Sequence, residues 1–141
     1  MSKSKKVTIG YKYYLGLHMV AVQDAQELLE IQVGERTAWS GSVTSNQSIS
    51  INAENLFGGE KKEGGVKGTL DVMFGGSTQP KNSYLTNLLG NVIPAFRGVV
   101  SFVFRGGLVC AMSPYPKAWA FKLRNIPQQS WYSETANIGK L

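Results

Sequence analysis

The chain is predicted to fold as a mainly β protein, an antiparallel β-barrel or sandwich-like domain with one or two short helices. Three observations carry that expectation. Sixteen of the 141 residues are glycine, well above the usual share of about 7 percent, which favours turns and bulges. Runs rich in β-branched and aromatic residues are punctuated by Gly, Asn and Ser, the pattern of short strands between turns. Over residues 66–74 the even positions Val66, Gly68, Leu70, Val72 and Phe74 oppose Lys67, Thr69, Asp71 and Met73, the period of two that sends alternate side chains to opposite faces of a strand.

Taken in order, a basic, flexible arm is expected over 1–6, a single β-rich domain over 7–126, and an irregular tail, or the start of a further domain, over 127–141. VTIGYKYYLGLHMVAV predicts a first strand, kinked at Gly10 and Gly16, because glycine inside a strand marks a bulge or a close approach. LLEIQV and RTAW flank Gly34-Glu35, a hairpin signal. SNQSISINAENL alternates at Ile49 and Ile51 among serines, as a half-buried strand does. The strand over 66–74 is expected to keep one wet face. Next, STQPKNSYLTNLLGNVIP holds the one helical turn, Ser83 to Leu89, with Asn82 or Ser83 as N-cap and Gly90 beyond its end. FRGVVSFVFRGGLVCAM predicts a long apolar strand with a turn or bulge at Arg105-Gly106-Gly107, and KAWAFKLRNI a last one. No repeat of solenoid or propeller length is present.

Bulk properties narrow the function classes. The length is that of one ordinary domain, and the longest apolar run, GVVSFVF, is far short of the roughly 20 residues that cross a bilayer as a helix. Cys110 is the only cysteine, so no intrachain disulfide forms and a reducing compartment suits the fold. The charge of +6 is uneven: residues 24–71 carry eight acids and four bases, whereas 72–133 carry no acid and six bases, Lys81, Arg97, Arg105, Lys117, Lys122 and Arg124. Such polarity fits self-association through opposed patches, or nucleic acid.

The glycine-rich stretch LFGGEKKEGGVKGTLDVMFGG tests for phosphate chemistry. A Walker loop needs G-x-x-x-x-G-K-[ST], because backbone amides wrap the phosphates while lysine and hydroxyl hold charge and magnesium. Gly59 and Gly64 have the spacing, but Gly65 and Val66 follow, so both ligands are missing and a strand stands where a helix is required. Glu60 and Glu63 are separated by Lys61 and Lys62, which reads as a solvated charged turn rather than as an acid/base pair needing one desolvated carboxyl. His18 and Cys110 are single residues of their types, too few for a His/Cys metal site; as a nucleophile and base they would have to meet across the fold. Tyr11, Tyr13, Tyr14, Trp119 and Phe121 beside Lys12, Lys117, Lys122 and Arg124 form the alternative reading, a stacking platform for single-stranded nucleic acid. The sequon Asn46-Gln47-Ser48 matters only in a secreted protein.

Five stretches, GYKYYLGLHM, RTAWSG, LFGGEKKEGGVKGTLDVMFGG, IPAFRGVVSFVFRGG and SPYPKAWAFKLR, in this order and at these distances, together resemble the amino-terminal region of the large tail-tip proteins of long-tailed bacteriophages and prophages, the central hub or host-specificity group. The resemblance runs from about Val7 to Ile126. After LHMV, members carry a Cys-His-Gly-Pro type turn where this chain reads AVQDAQ, and members are several times longer. What the resemblance implies is a β-rich structural hub, trimeric, without catalytic residues or cofactors, located in the virion tail tip and assembled in the bacterial cytoplasm with other tail proteins. Nucleic acid is not the partner expected on this reading. Its motif and turn residues are Gly58, Gly59, Glu60, Lys61, Lys62, Glu63, Gly64, Gly65, Gly75, Gly76, Pro94, Phe96, Arg97 and Gly98, and the interface is expected at Arg97, Arg105, Lys117, Lys122 and Arg124.

Overall fold

The computed structural model describes residues 11–21, 25–59, 62–112 and 116–125, together with the backbone of 138–140. The arm over 1–6, most of the tail over 127–141, Gly10, Glu60 and Lys61 lie outside the described residues.

Among the described residues, eight strands and one helix follow in the order β1 (Lys12–Val20), β2 (Glu27–Val33), β3 (Arg36–Val43), β4 (Gln47–Ala53), β5 (Val66–Met73), α1 (Ser83–Leu89), β6 (Ser101–Ala111), β7 (Trp119–Arg124) and β8 (Ile138–Lys140). They form two four-stranded sheets, ordered β1-β6-β5-β4 and β3-β2-β7-β8, with every pairing antiparallel. β8 pairs with β7 at Lys122↔Ile138, in a tail where the sequence pattern signals no strand.

The sheets pack face to face as a sandwich and do not close into a barrel. β2 and β7 turn Leu28, Ile31, Val33, Phe121 and Leu123 inward, and β5 and β6 answer with Leu70, Val72, Phe102 and Phe104 in one buried cluster. Phe102 stacks on Phe121 across the interface at 3.8 Å between ring centroids. Phe104 meets Trp119 at 5.1 Å, tilted, the offset geometry that aromatic quadrupoles favour.

The expected hairpin is β2–β3. Its loop residues Gly34 and Glu35 both have positive φ, 60° and 66°, the mirror-image turn whose twist matches that of the flanking strands. β1 is irregular between Leu15 and Leu17, at the glycine where the kink was expected. A Cβ on Gly16 would come within 2.5 Å of the Tyr84 hydroxyl, so the missing side chain lets α1 lie on the sheet. The helix is capped as read from the sequence, with Asn82 accepting from the Leu85 amide and Gly90 closing the end.

The wet face expected on β5 holds at Lys67 and Thr69, which are exposed, and is corrected at its far end. Asp71 and Met73 are buried, because residues 74–100 leave the sheet, form α1 and fold back over that face. Met73, Leu85 and Val103 make a second small core there, with Tyr84, Ile93 and Phe96 packed against it. The Ser101–Phe104 half of β6 is therefore covered on both faces, the inter-sheet core on one side and this excursion on the other, whereas Arg105 and Gly106 interrupt the apolar run and are exposed.

Candidate functional site

The charged glycine loop is a tight hairpin tip. Gly59 and Gly64 bridge each other, with the Gly64 amide on the Gly59 carbonyl at 2.8 Å and the Gly59 amide returned at 3.2 Å. Gly58, Gly59 and Gly64 all lie at positive φ, where an L side chain is strained. Among the described residues of the loop, the amides of Gly59, Lys62, Glu63 and Gly64 are used within the chain: Lys62 donates to the Gly59 carbonyl and Glu63 to that of Phe57, beside the Gly59–Gly64 pair. Glu63 pairs with Lys117 at 2.7 Å, and this hydrogen bond holds its carboxyl below the ordinary range. The Lys117 ammonium also stands 5.2 Å from the centre of the Phe57 ring, and Arg36 donates to the Leu56 carbonyl at 3.1 Å. Gly34, Arg36, Phe57, Glu63 and Lys117 line a cavity of about 180 Å³ here.

Gln79 is the centre of the contacts that hold the excursion over 74–100. Gln79, 4 % exposed, accepts from Asn46 Nδ2 at 3.0 Å and from the Gly75 amide at 2.9 Å. Its own amide donates to the carbonyls of Ala95 and Phe96 at 2.7 and 3.3 Å. Arg97 Nε donates to the Gln79 carbonyl at 2.9 Å, and the Gly98 amide donates to the Gly75 carbonyl at 2.7 Å. Asn46 completes the clamp by accepting from the Phe74 amide. The chain turns at Phe96, with φ of 60°, and the ring lies 4.3 Å from the His18 imidazole. Pro94 and Gly76 are exposed.

Beneath the excursion lies the most elaborate polar cluster among the described residues. Asp71, on β5, accepts from Ser48 Oγ at 2.6 Å on one oxygen, and from Asn82 Nδ2 at 2.8 Å and Arg105 Nε at 2.7 Å on the other. Arg105 also donates to Ser83 Oγ at 3.1 Å and stands over the Tyr84 ring. Strand, helix cap and β6 are thus tied through one buried carboxylate. A groove of about 380 Å³ runs beside it, lined among others by Gln47, Gln79, Lys81, Asn82 and Ser83. Both Asp71 oxygens already have donors, so the cluster ties β4, β5, β6 and the helix cap together.

The cations expected at an interface are engaged inside the chain. Arg97, Arg105 and Lys117 have the partners named above, Arg124 pairs with Glu27 at 3.3 Å, and Lys122 stands opposite Glu30 in the β2–β7 register. Nor do they share a face: Lys122 and Arg124 sit on the outer side of one sheet, Arg105 under the excursion on the other. On that first outer face, hydrogen bonds from Thr37 and Gln32, with Lys122 adding to them, lower the Glu30 carboxyl.

Cys110 and His18 stand on opposite faces of one sheet. Cys110 belongs to the inter-sheet core, whereas His18 pairs with Val103 and touches Phe96 on the excursion side. Burial raises the thiol and lowers the imidazole, so both are held neutral, contrary to the needs of an activated nucleophile. The stacking platform loses its centre, because Trp119 and Phe121 are 3 % and 0 % exposed. Asn46 of the sequon uses its amide in the clamp. Among the described residues no three His, Cys, Asp or Glu side chains gather as a metal site.

Of the residues that organise this region, Asn46 is named from the sequence only within a sequon, Asp71 only as part of a wet strand face, and Gln79 not at all. Only Asp71 carries a signal there, as the lone acid in the apolar run TLDVMF. No protein-family model matches the chain, and a search of curated proteins finds no match.

Proposed function

We propose that the chain is a structural, non-enzymatic component of a bacteriophage or prophage tail tip, a hub domain that takes part in tail assembly and host attachment. The observation that carries the reading is how the five stretches of the resemblance are used: each is joined to another. Arg36 of RTAWSG donates to the Leu56 carbonyl of the glycine loop. Glu63 of that loop pairs with Lys117 of the SPYPKAW stretch. Gly75 accepts from Gly98 of PAFRG, and Phe96 of PAFRG meets His18 of GYKYYLGLHM. The residues that carry the wording are thus the turns and clamps of one framework, as fits a part whose work is to hold shape.

Assembly needs surface that this framework leaves open. β1 is the edge of its sheet, and it presents Tyr14, Leu15 and Val20 at 59, 39 and 41 % exposure, with Tyr11 just before it at 70 %. An apolar, aromatic edge is where a neighbouring chain adds. With Arg105, Lys117 and Arg124 paired to acids inside the chain, β1 is the better candidate for contact between subunits. Closure of a heterologous contact would give a ring, three subunits being the number the resemblance implies. Sedimentation of the protein alone and with tail-tube and tail-tip proteins tests this: an oligomer or a co-complex is expected, and a persistent monomer with no affinity for tail proteins would overturn it.

A further inference from the structure

The far end of α1 is an apolar projection. Residues 87–92 are exposed in succession, and among them Leu88, Leu89 and Val92 are 61, 60 and 88 % exposed. Only Leu85 of the helix is buried. The base of the projection is fixed by Asn82 on Asp71 and by Gln79 on the carbonyls of Ala95 and Phe96, so the tip is held away from the core instead of folding onto it.

Its electrostatic setting has one sign. Lys81 donates to the Asn91 carbonyl at the neck of the projection, and exposed Arg97 stands at its foot. No acid occurs between residues 72 and 133. The carboxylate beneath, Asp71, is buried and already paired with Arg105.

We propose that this tip enters an anionic lipid surface, with Leu88, Leu89 and Val92 in the acyl boundary and Lys81 and Arg97 at the phosphate headgroups. Aliphatic side chains at a tip with cations at its neck are the arrangement that partitions into an interface, combining apolar burial with attraction to anionic lipid. A second copy of the chain is the poorer occupant. Three aliphatic side chains offer at most a few hundred Å², against the roughly 800 Å² per partner of a stable protein interface. A bilayer requires no complementary shape. The proposal rests on this patch alone and not on the tail-tip reading, whose test is co-assembly with tail proteins.

The experiment is co-sedimentation of the full chain with vesicles of phosphatidylcholine alone and of phosphatidylcholine mixed with phosphatidylglycerol. Binding is expected to the mixed vesicles and to weaken with salt. The double variant Leu88→Asp/Val92→Asp, both sites being exposed, should keep its thermal transition and bind at least about tenfold more weakly; Lys81→Gln should weaken binding severalfold. Three results would overturn the proposal. One is no binding of the unaltered chain at low salt; another is equal binding of the double variant, which would place the attraction elsewhere. The third is a change in the sedimentation coefficient of the double variant without lipid, which would assign the patch to contact between copies.

Discussion

Replacing Asp71 by alanine removes the carboxylate on which β4, β5, β6 and the cap of α1 converge. Its side chain is 7 % exposed and its partner Arg105 35 % exposed. Breaking a buried ion pair by deleting one member costs about 3–5 kcal/mol, since the other charge is left without compensation. Arg105 reaches water in part, and keeps Ser83 Oγ at 3.1 Å, which places the expected loss at the lower end, about 3 kcal/mol. For a domain of this size that is a fall in Tm of roughly 10 °C. Asn82 loses its acceptor but still caps the Leu85 amide, so helix α1 should loosen without unfolding. Urea titration gives the stability, and hydrogen exchange at the Leu85 amide reports the cap. In a double-mutant cycle with Arg105→Met, the coupling should be about 1–3 kcal/mol. A loss below about 1 kcal/mol for Asp71→Ala, or additive effects of the two substitutions, would refute the reasoning that this carboxylate ties the excursion to the sheet.

The two glycines that follow β5 should differ sharply in their tolerance of a side chain. Gly75 has φ of 79°, and a Cβ there would lie 2.3 Å from the Val99 carbonyl oxygen, whereas Gly76 has nothing within 4 Å; thermal melts should show Gly75→Ala losing about 3 kcal/mol and Gly76→Ala changing stability by less than about 0.5 kcal/mol. Glu35, at φ of 66°, holds a left-handed conformation that an L side chain resists, so Glu35→Gly should raise stability by about 0.5 kcal/mol in urea titration. Burial against Phe96 lowers the His18 imidazole from its ordinary value of 6.5. Between that depressed value and 6.5 the unfolded chain binds more protons than the folded one, so stability is complete above 6.5 and declines as pH falls below it. Urea midpoints measured across this range should show the slope in the parent and lose part of it in His18→Gln; an unchanged slope would mean that His18 is not the group responsible.

Local pattern carried much of the architecture. The alternation of Ile49 and Ile51, the Gly34-Glu35 turn, the Asn82 cap with Gly90, and the bulge at Gly16 are all short-range features, set by φ preferences and side-chain periodicity within a few residues, and the strands and helix form where those signals lie. The absence of a Walker loop was equally local, since it turned on two missing residue types after Gly64. What the pattern could not reveal was coverage. Asp71 and Met73 read as a wet face because nothing in their own strand says that the following residues return over them. Trp119 and Phe121, which read as a stacking platform, are buried because β7 lies in the middle of its sheet, facing Phe104 and Phe102.

Neighbouring residues are enough to specify antiparallel β strands and the capped helical turn at Ser83–Leu89, because turn stereochemistry and the strand period are local properties. Long-range packing set the rest: the division of the strands into two sheets, the hold of Asp71 and Gln79 on the 74–100 excursion, and the internal partners of Arg105, Lys117 and Arg124. Those outcomes depend on groups distant along the chain. Their hydrogen bonds and ion pairs form only once burial of the apolar faces has brought the strands together.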